Sequence, residues 1–508
     1  MDRLSLALFS RAAMGLARTF ELENSIARAG LDAYPQLYAA RLLFYTFTSL
    51  FAALLIVALV IPIPLPLPLK IALAVPAAMT PVIVFAVGLT YPSIKESSRE
   101  NGVNSELPFF AAYLTTMAYG GVPPERIIEK VAGLRIFKAI REEARRILRD
   151  IKVFGLDPLS AIERNAYQHP SRRYREFMLG YVTTVRTGGD VLHYLELRTQ
   201  DLFRERAQEL SSVAERISMI VEAYITLAVV MTLVLYIFFI VSAILPTGGF
   251  GGVQGIVLYS YLGMPLLTVV MLVVIDSVQP KAPIYHREPY AMLAISLPIG
   301  VIAGFILFAI LGGTEMFTRG EITLRHIVAT SISMMIGLSI VNAGPVYSYM
   351  RIIRQERRIH HAVANFLRDL TEVRKTGLSP ERSIILLSDR DYGVLTPVIR
   401  RIAGALSLGL YIERAVRRAV RGYRDWLMLA SLRFLIDAIE VGGGTPQTLD
   451  ALARYSHALA ELTDELKRRL RPFIAMPYFG AILIVVTSIL VITCLLYTSD
   501  AADELDGV

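Results

Sequence analysis

Residues 121–126 read GVPPER and residues 377–382 read GLSPER. A glycine, an apolar residue, a proline and then Glu-Arg thus return after 256 positions, with long apolar stretches between. Two further pairs follow in the same order. VFGLDPLSAIERNA (153–166) lines up with SLGLYIERAVRRA (407–419), and VRTGGDVLHYLELR (185–198) lines up with EVGGGTPQTLDALAR (440–454), so the three offsets span only 254 to 256 residues. Three markers in one order at one spacing are the signature of an internal duplication.

Each marker is helix punctuation. Ser379, Pro380 and Glu381 supply an N-cap, a proline at the first helical position and a carboxylate beside the positive helix end. Asp157-Pro158, Thr396-Pro397 and Thr445-Pro446 repeat that start signal. Gly155, Gly409 and the pairs Gly188-Gly189 and Gly443-Gly444 stand where one helix ends before the next begins. Regions 91–222 and 346–472 therefore read as two duplicated bundles of helices, each helix roughly 15 to 30 residues long, with apolar positions at helical spacing.

What lies between is a membrane protein's composition. Of 508 residues, 54% are hydrophobic and 19% charged, and the mean hydropathy is +0.51. Seven stretches free of Asp, Glu, Lys and Arg are long enough to cross about 30 Å of hydrocarbon as helices: 42–61, 71–90, 223–245, 256–275, 290–312, 326–345 and 473–496. IPIPLPLPLK (61–70) and PTGGFGGVQG (246–255) break the pattern as hairpin connections. The chain is thus divided into an amphipathic segment (1–41), spans one and two (42–90), the first bundle (91–222), spans three to six (223–345), the second bundle (346–472), span seven (473–496) and a tail (497–508). The fold class is all-α, a polytopic helical membrane protein carrying two helical bundles. The last helix of each bundle, from Asp190 or Thr445 onward, meets no strong breaker before the membrane and is expected to run into span three or seven.

With the N-terminus inside, all of the 52 Lys and Arg residues except Lys70, Arg319 and Arg325 fall on the cytoplasmic side, and both bundles with them. The bundles differ in charge. The first has 20 basic and 18 acidic residues, a formal +2, whereas the second has 22 and 14, a formal +8. A basic surface near a membrane suits anionic lipid or an acidic protein partner. No aromatic-interleaved basic patch or zinc pattern points to nucleic acid.

The residues also resemble a known family. Two cytoplasmic helical domains, each with a GVPPER or GLSPER start, a central glycine turn, a GG elbow and a helix feeding a membrane span, resemble the type II secretion F domain. The added N-terminal pair of spans and the four-span insert resemble the archaeal platform proteins of type IV pili and the archaellum, and the related Tad-pilus platforms. The resemblance implies a platform at the base of a filament that meets a hexameric secretion ATPase and helps lift pilin-like subunits out of the bilayer, without covalent chemistry or a cofactor of its own. Action as a homodimer is compatible with it. The final CLLYTSDAADEL (494–505) resembles translated adapter sequence, and related archaeal platforms continue past the seventh span, so the native protein is expected to be longer, with about nine spans.

Enzyme chemistry has no visible anchor. The chain lacks a GxxxxGK phosphate loop, its single cysteine, Cys494, excludes an intrachain disulfide or CxxC site, and His360-His361 has no nearby HExxH partner. A transporter is the alternative, but the centres of all seven spans lack ionisable residues. The candidate contact residues are four arginines, Arg414, Arg417, Arg418 and Arg421, whose i, i+3, i+4, i+7 spacing predicts one helical stripe for partner docking. Lys467, Arg468, Arg469 and Arg471 suit the inner headgroups. Gly188-Gly189 and Gly443-Gly444 are candidate hinges, and Glu222 and Asp276 candidate membrane-edge contacts for a pilin-like substrate.

Overall fold

The computed structural model describes residues 2–31, 33–60, 62, 67–244, 253–278, 287–314, 324–423, 425–470, 478–483 and 485–486. The proline and glycine hairpins, most of span seven, Arg471 and the tail lie outside them. All regular structure among the described residues is helical. The chain divides into two units, Met1–Leu202 with Glu440–Gly443, and Phe203–Ile439 with Gly444–Val508.

The first unit opens with two short helices, α1 (Asp2–Thr19) and α2 (Leu22–Ala29), ahead of the first span, α3 (Pro35–Val60). Small residues set their packing: Ala13 and Ala17 of α1 lie in one core with Ala39 and Ala40 of α3, closed by Leu22 and Ile26 of α2. The next helix, α4, runs unbroken from Leu67 to Tyr119. Tyr38 donates its hydroxyl to the Gly88 carbonyl at 2.6 Å, tying α3 to α4 where a larger residue than glycine would strike Leu42.

Below the apolar part of α4 the first bundle is assembled from α5 (Pro124–Gly133), α6 (Ala139–Lys152), α7 (Pro158–Gln168) and α8 (Arg172–Arg186). α5, α6 and α7, with 10, 14 and 11 residues, are shorter than expected, because proline and glycine punctuate the chain more often than the amphipathic periodicity shows, while α8 has 15. Their core is aromatic. Phe110 of α4 meets Phe137 edge-on at 6.4 Å and Phe177 at 6.2 Å, all three fully buried. The predicted cap at Asp157 is present, accepting from the Leu159 and Ser160 amides. An unpredicted one closes α6: Glu106 of α4 accepts from the amides of Lys138, Ala139 and Ile140 at 2.8 to 3.0 Å, placing a carboxylate on the positive helix end. The bundle leaves through α9 (Val191–Ile244), started by Asp190 and continuous through Glu222 into the third span, as expected.

In the second unit the spans continue as α10 (Val253–Leu258), a π-helical turn (Tyr259–Gly263), α11 (Met264–Val278) and α12 (Glu288–Ile310). Hydroxyl pairs stitch this part together: Thr232 with Tyr259 at 2.9 Å, Tyr236 with Ser260 at 2.9 Å, and Tyr224 with Thr268 at 2.8 Å. Such bonds suit a medium without water. The next helix, α13, spans Leu324–Lys375 and carries a membrane segment and the second bundle's first helix in one piece. The rest of that bundle is α14 (Pro380–Leu387), α15 (Thr396–Ser407), α16 (Ile412–Ala419), α17 (Trp426–Glu440) and α18 (Pro446–Leu470). Phe366 of α13 is fully buried and meets the Tyr392 ring edge-on at 5.6 Å.

The expected caps at Ser379 and Thr445 are in place, accepting from Arg382 N and Thr448 N at 3.3 Å each. Thr396 is a correction. A 3-10 turn (Gly393–Leu395) precedes it and Leu395 occupies the cap, while the Thr396 hydroxyl accepts from Tyr392 N at 2.7 Å and donates to Asp391 at 2.9 Å. Six helices among the described residues are long and apolar enough to cross a membrane. Three of them, those built on α4, α9 and α13, extend well beyond any bilayer thickness at 1.5 Å per residue.

Candidate docking surface

The arginine stripe is carried by α16. Glu413 sits in its first turn and Arg417 and Arg418 in its last, the order that complements the helix dipole. Ile412, Ala415, Val416 and Ala419 are buried, so the opposite face, with Arg414, Arg417 and Arg418, is left to solvent. The helix ends at Ala419, and the chain turns through Gly422 at φ +97°. Arg421 is therefore in the turn and not on the helix, although it is exposed like the other three. Arg417 pairs with Glu413 at 2.6 Å, and Glu413 also accepts from Arg433 at 2.9 Å, which holds its carboxyl below the ordinary range. Arg414, Arg418 and Arg421 have no ion pair among the described residues.

The two glycine elbows differ. At the first, Gly188 adopts φ +69° and donates to the Val185 carbonyl, while Gly189 donates to that of Thr184 at 2.9 Å, a Schellman closure of α8. At the second, Gly443 and Gly444 have φ of +65° and +56°. Arg374 donates to the Gly444 carbonyl at 2.9 Å and also to that of Leu378, so one guanidinium joins this elbow to the turn that opens GLSPER. Two of the duplicated markers, far apart in sequence, are thus in contact. Glu222 and Asp276 lie exposed on α9 and α11 and make no ion pair among the described residues. No hydrogen bond or ion pair among the described residues joins them or the elbow glycines to the α16 arginines.

Two features were not foreseen. The first is a groove of about 1250 Å³ on the second bundle, between α13 and the loop before α15. Eight residues of α13 line it, among them Arg354, Arg358, His361, Asn365 and Arg368 and also Arg357, which pairs with Asp464 at 3.4 Å, with Asp391 to Val394 opposite. The carboxylates at its edge are already engaged. Asp369 accepts from Arg390 at 2.8 Å and from the Tyr392 hydroxyl at 2.9 Å; burial and that bond push the tyrosine's pKa up. Asp391 accepts from Gly393 N at 2.8 Å and from Thr396, which keeps its pKa low. His361 pairs with Asp464 at 2.8 Å, and the adjacent His360 pairs separately with Asp425 at 3.0 Å. Arg354, Arg358 and Arg368 have no partner among the described residues. The 4-3-4-3 spacing of five of these α13 residues was readable as one helical face, but the loop that completes the groove was not.

The second is a buried polar knot in the first bundle. Glu143 of α6 accepts from Arg99 through both oxygens at 2.8 and 2.6 Å, from Arg146 at 2.9 Å and from Asn165 at 3.0 Å. Burial alone would raise its pKa, but the Arg99 bonds and the two guanidinium charges outweigh it and hold the value at about 2. The same arginines donate outward, Arg99 to Arg28 O at 2.7 Å and Arg146 to Gly30 O at 3.1 Å, and so cap the C-terminus of α2. His169 lies beside the knot, fully buried, with Nδ1 accepting from Ser171 N at 3.0 Å and Nε2 3.9 Å from Glu143. Burial, with the neighbouring guanidinium charges, lowers its pKa to about 3 against the pull of Glu143, so the ring is neutral.

A family model for the type II secretion system (T2SS), protein F, matches the chain twice, over residues 110–239 and 366–493, together just over half of its length. Uncharacterized protein MJ1286 of Methanocaldococcus jannaschii is 22% identical over 439 residues, covering 82% of this chain and 73% of that protein. No solved structure matches the chain. The two matched stretches begin inside α4 and α13 and contain all three duplicated markers, so repeat, fold and family model agree: the chain belongs to the type II secretion system protein F family.

Proposed function

We propose that the protein is the membrane platform of a pilus-like filament, coupling a cytoplasmic hexameric secretion ATPase to the extraction of pilin-like subunits from the bilayer. Membership of the family supports a membrane platform of a secretion or pilus system. The observation that carries the finer reading is the continuity of α9 and α13, each of which joins an apolar segment to a water-soluble bundle without a break. Movement imposed on such a bundle is delivered into the membrane through the same helix, which in α9 holds no proline and in α13 holds one, Pro345. The positive-inside rule supports a cytoplasmic side for both bundles, where an ATPase would meet them.

In this reading Arg414, Arg417, Arg418 and Arg421 form a docking face, the elbows at Gly188-Gly189 and Gly443-Gly444 set the angle between bundle and exit helix, and Glu222 and Asp276 face the pilin-like substrate. The platform itself performs no covalent step. The test is reconstitution with the secretion ATPase encoded beside it. The pair should co-purify and the platform should raise nucleotide hydrolysis, while deletion of its gene abolishes filaments. An ATPase that neither binds nor responds, with filaments normal in the deletion strain, removes the proposal.

A further inference from the structure

We infer that the groove between α13 and the loop at Asp391–Val394 is a docking site for an acidic α-helix of a soluble protein partner. Charge comes first. Each edge carboxylate, Asp369 and Asp391, already accepts two hydrogen bonds from within the bundle, whereas Arg354, Arg358 and Arg368 present uncompensated charge among the described residues. Four arginines, Arg354, Arg357, Arg358 and Arg368, line the groove against the two aspartates, so its field is positive, and the whole region carries a formal excess of eight positive charges.

Geometry then separates the anions that fit. Arg354 to Arg368 covers about 21 Å of helix, and Arg358 is about 15 Å from Arg368 along the axis, so no single phosphate reaches all three. A membrane surface cannot occupy the whole groove, because its far end lies beyond the headgroups. The charge-free run of this span ends at Met350, which puts Arg368 about 27 Å along the axis beyond it, or about 21 Å from the membrane at a 40° tilt, whereas the headgroup layer is only about 5 to 8 Å thick. The spacing 354, 358, 361, 365, 368 is the 3.5-residue seam along which a second helix packs. A volume of about 1250 Å³ also exceeds what a small ligand fills, about 300 to 1,000 Å³. A partner helix with glutamates or aspartates on the same 4-3-4-3 pattern meets every arginine in turn.

The inference rests on the platform reading in one respect, that this bundle faces a soluble partner, and a peptide probe lets it fail separately. The full chain in nanodiscs of neutral phosphatidylcholine is titrated with an alanine-rich 21-residue peptide bearing glutamates at 4-3-4-3 spacing. An isomer with glutamates every five residues, winding around the helix, is the control. The striped peptide should bind about tenfold more tightly than the control, and the combined Arg354→Glu, Arg358→Glu and Arg368→Glu variant should lose that advantage. Lysine at all three positions should retain most of it, and added salt should weaken it. An unchanged melting temperature shows the variant folded; if reversal unfolds it, the triple glutamine variant replaces it with the same expected loss. Equal binding of the two peptides, undiminished binding by the folded variant, or complete displacement by millimolar inorganic phosphate overturns the inference. Peptide binding together with an ATPase that neither binds nor responds, and normal filaments in the deletion strain, would keep the groove and remove the platform reading.

Discussion

Gly300 of α12 and Gly337 of α13 meet backbone to backbone: a Cβ on Gly300 would lie 2.7 Å from the Gly337 carbonyl oxygen, and one on Gly337 would lie 3.1 Å from that of Gly300. Gly304 and the bond from Ser296 to the Val341 carbonyl at 2.7 Å extend the contact along the pair. Lipid tails are as apolar as leucine, so such close backbone approach, and not water exclusion, holds two helices together in a bilayer.

Leucine at either glycine should separate the pair. Gly300→Leu or Gly337→Leu is expected to cost about 3 kcal/mol or more, read as a lower unfolding midpoint in detergent. Gly404→Ala is the opposite control. Gly404 lies inside α15 with nothing within 4 Å of an added Cβ, and alanine there should add about 1 kcal/mol.

Removing the Glu143 charge should be severe. Glu143→Gln leaves the Arg99 guanidinium, whose side chain is only 10% exposed, without its counter-ion, and breaking a buried pair in this way costs about 3 to 5 kcal/mol. Because the same arginines cap α2, the variant should also be cleaved faster by protease around residues 20–34.

Acid should act on the first bundle through His169 before it acts through Glu143. The His169 pKa is about 3 folded against about 6.5 unfolded, so below pH 6.5 the unfolded chain binds the extra proton, and stability falls by about 1.4 kcal/mol per unit as pH drops toward 3. Glu143, depressed to about 2, contributes stability that is complete above about pH 4.5 and is lost only below it. His169→Asn keeps an acceptor for Ser171 and has no proton to gain, so unfolding midpoints of the variant should be flatter between pH 6.5 and 5 than those of the parent.

The elbows should differ in their tolerance. Gly188→Ala meets open space and suffers only its positive φ, a loss of about 1 to 2 kcal/mol. Gly444→Ala should lose more, because its Cβ would lie 2.9 Å from Pro380 Cγ in a turn that Arg374 holds fixed. Chemical denaturation of the two variants side by side gives the order.

On α16, Arg414→Glu with Arg418→Glu should leave the melting temperature unchanged, since both side chains are exposed and without an ion pair among the described residues. Stimulation of the co-encoded ATPase should fall at least several-fold. Unchanged stimulation would take the docking role away from this face.

Helix starts were legible because a cap is a local event: Asp157, Ser379 and Thr445 bond to amides two or three residues away. Thr396 misleads for the same reason. Its hydroxyl is claimed by Asp391 and Tyr392, whose positions a 3-10 turn decides. The change of composition near residues 91 and 346 marks where the surroundings turn polar and not where a helix ends, so the unbroken lengths of α4 and α13 were missed. The Glu143 knot gathers Arg99, Arg146 and Asn165 from three helices, and no periodicity in one segment encodes that meeting.

The helices that lead into and out of the first bundle are built to opposite standards of compliance. Prolines at 76, 81, 92 and 108 each remove a backbone bond from α4, giving it articulation points, while α9 has none over its 54 residues. The incoming helix is the one with places to bend, and the outgoing one has none of them. Proline thus confines the points of bending around this bundle to the helix by which the chain enters it.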